Sequence, residues 1–142
     1  LRLACEKAAK VSGEHPGQVV LASDTVVGVG RRILPKTEDR ASAETCLRLL
    51  SGGSHRVFTG VAVIDAAGQM RSRVSETRLK VKRLSEPELI AYLDSEEWHG
   101  KAGGYGIQGL FGAYISSLSG SYTGVVGLPV YETRALLMAA LT

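Results

Sequence analysis

The chain has 142 residues and a mass of 15.1 kDa, the size of one ordinary domain. Apolar residues make up 44% and charged residues 22%, which excludes a disordered chain, and no apolar run reaches the roughly 18 residues of a membrane span. Seventeen Lys plus Arg against fourteen Asp plus Glu give a net charge of +3, spread without a basic stripe, and aromatics are only 6%; a nucleic-acid partner is therefore not expected, and a small anionic ligand suits this charge at least as well.

Leu1 to Val11 carries Leu1, Leu3, Ala4, Ala8 and Val11 at helical spacing, and Ser12-Gly13 ends the helix. Val19 to Val29 is a nearly continuous β-branched run that predicts a strand buried on both faces, interrupted by one charge, Asp24. Gly28 to Arg32 predicts a hairpin turn into a short strand at Ile33-Leu34. A second helix begins after Thr37 or Asp39, either of which can cap it, and stops at Ser51-Gly52-Gly53. Arg56 to Asp65 predicts a strand, Ala66 to Gln69 a turn, and Met70 to Lys82 a half-exposed antiparallel partner. Ser85 with Glu88 forms a capping-box pattern for a helix to Leu93. The Gly-rich segment His99 to Gly109 follows, then strands at Phe111 to Leu118 and Tyr122 to Val126, and a closing helix from Pro129. Alternating helices and strands with a hairpin predict an α/β fold with a mixed sheet.

The two cysteines, Cys5 and Cys46, lie in helical patterns without metal-ligand or redox spacing and read as reduced, packed residues of a cytoplasmic protein. His15, His55 and His99 share no ligand spacing, so a zinc site is not expected. Asp24 is the most informative residue. A carboxylate inside LASDTVV needs a cation, a metal or a strand-end position, because desolvating an unpaired charge costs several kcal/mol. Gly104, Gly106 and Gly109 spell G-x-G-x-x-G. They lead into a predicted strand, so the dinucleotide fingerprint, which opens a helix, is not expected. What remains is a compact loop with one amide, Gln108, which either satisfies its own loop or offers a donor and an acceptor to a nucleobase edge. Lys7, Lys36 and Lys101 are either solvated lysines or phosphate ligands.

In this order the segments EKA (Glu6 to Ala8), ASDTVV (Ala22 to Val27), ILPK (Ile33 to Lys36), LSGGSHRVFTGVAV (Leu50 to Val63), KAGGYGIQGL (Lys101 to Leu110) and GSYTGVVGLP (Gly120 to Pro129) span essentially the whole chain. Together they resemble the Maf family of nucleoside triphosphate pyrophosphatases. The resemblance implies an α/β fold with a deep cleft, similar to that of inosine triphosphate pyrophosphatases. It implies hydrolysis of a nucleoside triphosphate to the monophosphate and pyrophosphate, assisted by a divalent cation, Mg²⁺ or Mn²⁺.

Carried over by motif, Asp24 is the general base and a metal ligand, and Thr25 falls at a position linked to substrate selection. Lys7 and Lys36 fall near the phosphates, and Gln108 falls where the branch acting on dTTP and UTP reads the base. The expected substrates are therefore dTTP, UTP and modified pyrimidine nucleotides. The alternative is a non-catalytic nucleotide-binding regulator of septum formation, and the resemblance also allows a homodimer. The family's S-x-S-P-R-R loop precedes its EKA helix and has no counterpart here, so residues 1–142 are expected to form one Maf-like domain that is N-terminally incomplete. Pro precedes Lys36 where the family has Lys then Pro, and Gly100 and Gly124 stand for the more usual Asp and Asn.

Overall fold

Most β-branched segments order into sheets, and Asp39, Ser85 and Ser121 cap the starts of three of the helices. The computed structural model describes residues 1–142. Helix α1 (Arg2–Glu14) leads to β1 (Val20–Val29), which turns at Gly30-Arg31 into β2 (Arg32–Leu34); β3 (Lys36–Thr37) and α2 (Arg40–Leu50) follow. Strands β4 (Ser54–Ile64) and β5 (Met70–Val81) form a long hairpin before α3 (Glu86–Ser95) and β6 (Lys101–Ala102). A 3-10 turn at Leu110–Tyr114 opens β7 (Ile115–Ser119), and α4 (Tyr122–Val126) and α5 (Val130–Leu141) complete the chain. Five strands make one antiparallel sheet in the order β2-β1-β4-β5-β7, while β3 and β6 form a separate antiparallel ribbon.

The α/β class with flanking helices is as the sequence predicts, but the sheet is antiparallel rather than mixed. Each long strand returns through a hairpin or a crossover that reverses its direction. Strand β1 is only half-buried, with Leu21 40% exposed, because it lies next to the edge strand. The strand covered on both faces is the central one, β4, in which Gly60 to Ile64 are all buried.

Two of the predicted strands are not strands along their whole length. Phe111 to Tyr114 is drawn into a 3-10 turn because Phe111 is fully buried among aromatic rings. Tyr122 to Val126, β-branched enough to suggest a strand, is a short helix instead. The Ser121 side chain accepts from Gly124 N–H at 2.9 Å at its start, a local bond that favours a helix N-terminus over a sheet ladder.

The chain divides into two compact units. The first comprises Leu1–Thr25, Phe58–Glu76 and Ser121–Thr142; the second comprises Val26–Val57 and Thr77–Gly120. In the first unit, Ala4 and Ala8 of α1 pack with Val20, Ala62 and Ile64, with Cys5 and Ala22 alongside. Val61 and Val63 pack instead with Leu136, Leu137 and Ala140 of α5. Odd and even positions of β4 thus meet different helices, as the period of two along a strand requires. Gly60 belongs to the α1 set, and a Cβ there would stand 2.7 Å from the Leu1 Cα.

In the second unit, α2 packs on α3, and fully buried Leu47 and Leu50 each contribute about 1.5–3 kcal/mol by leaving water. Asp39, not Thr37, caps α2 by accepting from Ser42 N–H at 2.7 Å. Thr37 is buried and donates to the Trp98 carbonyl at 2.6 Å. Ser85 and Glu88 close the predicted capping box on α3. Both cysteines are free thiols, and no helix is long and apolar enough to cross a membrane. Replacing Ser85 by Ala leaves the Glu88 amide without its partner and is expected to lower stability by about 1 kcal/mol; urea unfolding measures this, and an unchanged midpoint would contradict the capping role.

Candidate active site

The alternation that sorts the core of the first unit also sorts its polar side chains. Asp24 shares the α1 side of β1 with Val20 and Ala22. There the Lys7 ammonium of α1 donates to Asp24 Oδ1 at 2.8 Å, with the carboxylate side chain 15% exposed and the lysine 52%. The charge in the middle of a β-branched run is therefore paired rather than bare. Two of the sequence-predicted residues are brought together, and the cation that Asp24 requires comes from the EKA segment.

Thr25, the next residue, points the other way. Its hydroxyl lies 3.0 Å from that of Thr59 on β4, and Thr59 donates to the Gly124 carbonyl at 2.6 Å. A carbonyl cannot donate, so the single Thr59 proton is spent on Gly124 and Thr25 must donate to Thr59. Thr25 then presents only acceptor lone pairs elsewhere. Thr59 is fully buried; the chain of hydroxyls ties β1, β4 and the start of α4 together on the face away from Asp24. Sequence reading missed Thr59, whose signal was its place two residues before Val61 in VFTGVAV.

In the second unit, Lys36 is exposed on β3, paired opposite Ala102 of β6. Gly103 N–H donates to the Pro35 carbonyl at 3.0 Å and Gly100 N–H to the Thr37 carbonyl at 2.8 Å, so the lysine strand is bound to the Gly-rich segment. Gly103 adopts φ +72°, and a Cβ there would stand 3.1 Å from Val27, so another residue would strain the backbone and crowd that side chain.

Gln108 lies exposed in the turn that follows, and no hydrogen bond ties it to its own loop. Lys101 lies beside Gly106, its Nζ 3.9 Å from where a Cβ would be. The G-x-G-x-x-G run opens a 3-10 turn, neither the strand predicted there nor the α-helix that a dinucleotide fingerprint opens.

Aromatic residues pack together at the two ends of this turn. Tyr105 stacks on Phe111 with ring centroids 4.6 Å apart, and Tyr92 and Tyr114 approach Phe111 edge-on. Tyr92 donates its hydroxyl to the Gly104 carbonyl at 3.0 Å. His55 of β4, 2% exposed, is hydrogen-bonded through Nε2 to the Tyr105 hydroxyl, and its Nδ1 has no partner. Burial holds the imidazole neutral, with its pKa pushed down to about 4, and pushes the Tyr92 and Tyr105 phenols above their usual range.

No group of three or more His, Cys, Asp or Glu side chains comes together that could hold a metal ion. That donor set does not suit zinc, which takes three or four protein ligands. Mg²⁺ keeps several waters and is held by one or two carboxylates together with substrate phosphates, and Asp24, whose Oδ1 accepts from Lys7, is a carboxylate of the kind that would hold it.

The sequence model described as "Maf-like protein" matches residues 1–140. A "dTTP/UTP pyrophosphatase" of Novosphingobium aromaticivorans is 59% identical over 140 residues, covering 99% of this chain and 70% of that protein. The proteins of the same name from Maricaulis maris and Caulobacter vibrioides are 60% and 57% identical, each over 96% of this chain and 65% and 71% of their own lengths. The chain thus spans about two thirds of the length of the curated relatives it matches.

The pH dependence of stability tests the buried histidine. Above its unfolded value of 6.5 the imidazole is neutral in both states; between 6.5 and about 4 the unfolded chain binds a proton that the folded one refuses. Stability is expected to hold above pH 6.5 and to fall by about 3 kcal/mol as the pH drops through 4. The carboxylates held low by their partners, Glu86 and Glu88, add their own loss only below their ordinary value of 4.5. Urea titrations from pH 8 to 4.5 should therefore show a slope that His55→Gln removes; a slope persisting in that variant would contradict the assignment.

Proposed function

The chain belongs to the Maf family, and on that premise we propose that it is the larger part of a nucleoside triphosphate pyrophosphatase acting on dTTP and UTP. Modified pyrimidine triphosphates with the same base edge fall within the same reading. The observation that carries it is the Lys7–Asp24 pair at 2.8 Å, a carboxylate and an ammonium that the proposed reaction uses.

In the proposed reaction a water oxygen attacks the α-phosphorus. The bond from that phosphorus to the bridging oxygen breaks, and pyrophosphate departs with the bridging oxygen. Asp24 orients the water and takes its proton, which a positioned carboxylate can do at a gain of roughly 10²–10⁴-fold. Lys7 neutralises the carboxylate, so a polyanionic substrate meets a balanced pair instead of a bare negative charge, and its ammonium can share charge with the phosphoryl oxygens. Lys36 adds a second positive charge for the phosphate chain. When bound at Asp24, Mg²⁺ or Mn²⁺ supplies charge neutralisation of the phosphates. Gln108 reads the base: its amide offers a donor and an acceptor side by side, which match the carbonyl and N–H of a uracil or thymine ring.

The direct test is pyrophosphate release by the full-length protein from a panel of triphosphates with Mg²⁺. dTTP and UTP are expected to turn over fastest, and chelation of the cation to stop the reaction. Asp24→Asn is expected to lower kcat by about 10²–10⁴-fold with little change in KM. Full activity in that variant would overturn the general-base assignment, and tight dTTP binding without turnover in the unmodified protein would favour a nucleotide-binding regulator.

A further inference from the structure

Selectivity by one amide demands that the amide be held to within about half an ångström. Gln108 stands on a turn whose own backbone bonds are few: Gly109 N–H to the Gly106 carbonyl at 3.2 Å and Gly112 N–H to the Gly109 carbonyl at 3.1 Å. Three glycines in seven residues, Gly106, Gly109 and Gly112, leave such a turn free to wander, and its placement must come from outside.

The two ends of the turn are Tyr105 and Phe111, stacked on each other at 28°. At the exit, Leu110 N–H donates to Glu97 Oε1 at 3.0 Å. At the entry, Tyr92 holds the Gly104 carbonyl and His55 holds the Tyr105 hydroxyl. Stacking by itself lets a ring slide and rotate in its plane; a hydrogen bond at the far end of the phenol fixes both.

His55 is the unusual member. It is buried on β4 and its Nδ1 is orphaned, and a leucine in its place together with a phenylalanine at 105 could fill the same space without leaving a polar atom unpaired. The single bond it makes is to Tyr105. Resting on the reading of Gln108 as the base-reading amide, we propose that Tyr105, pinned by His55, is the positioning residue through which this protein sets its preference for pyrimidine triphosphates.

The test compares kcat/KM for UTP with that for ATP in the full-length protein. Tyr105→Phe keeps the stacked ring and removes the pin. The UTP-to-ATP ratio is expected to fall about tenfold, chiefly through a higher KM for UTP. Because the variant leaves a second buried imidazole nitrogen unpaired, the pair His55→Leu with Tyr105→Phe removes both polar partners together. It is expected to show the same loss of selectivity at unimpaired thermal stability.

Adding Tyr105→Phe to Gln108→Ala should lower the ratio no further than Gln108→Ala does by itself. Retained selectivity in both Tyr105→Phe and the His55→Leu pair, with selectivity lost in Gln108→Ala, would overturn the positioning role and leave the base-reading role of Gln108 standing. Retained selectivity in Gln108→Ala would overturn that role and the positioning role with it.

Discussion

Side chains on a strand alternate between the two faces of a sheet, and in the first unit this constraint fixes where Asp24, Thr25 and Thr59 stand. Val20, Ala22 and Asp24 share a face with Ala62, Ile64 and α1; Thr25 shares the other with Thr59, on the side where Val61 and Val63 meet α5. Two adjacent residues of one motif, ASDTVV, therefore do different work. Asp24 faces a lysine and water-accessible space, while Thr25 is committed to a hydroxyl chain that ends on the Gly124 carbonyl. A one-residue slip of β1 would exchange the two faces. It would also leave the carboxylate without its lysine.

The second unit solves a different problem, that of giving shape to a glycine-rich segment. The segment borrows order from residues far away in the chain: Thr37 from β3, His55 from β4, Tyr92 from α3. The aromatic rings supply buried apolar area and the hydroxyls supply direction. The glycines are what permit the close approach, as Gly103 against Val27 illustrates. Flexibility in composition and rigidity in place are thus compatible. The lysine strand joins the same arrangement through backbone bonds to Gly100 and Gly103.

Much of this was legible from residue order. The capping box of α3, the hairpin of β4 and β5, and the pairing requirement of Asp24 are written in local spacing, because caps, turns and buried charges obey short-range rules. The errors have a common cause. Val19 to Val29 and Tyr122 to Val126 have the composition of buried strands, yet the first is half-covered and the second is a helix. Position in the sheet decides how many faces are covered, and a single side-chain cap at Ser121 outweighs a weak β propensity over five residues. Phe111 likewise follows its aromatic neighbours into a 3-10 turn.

The amino-acid sequence by itself determined the α/β class, most element boundaries, the family, and the short set of side chains that carry charge or amide chemistry in its motifs. Those depend on local periodicity and on motif order, which need no third dimension. Only the tertiary structure decided that Lys7 is the partner of Asp24, that Thr25 turns to the opposite face, and that His55 meets Tyr105, which stacks on Phe111 at the other end of the Gln108 turn. These contacts join residues 17, 34 and 50 positions apart, and only the packing of strands and helices brings such residues within hydrogen-bonding distance.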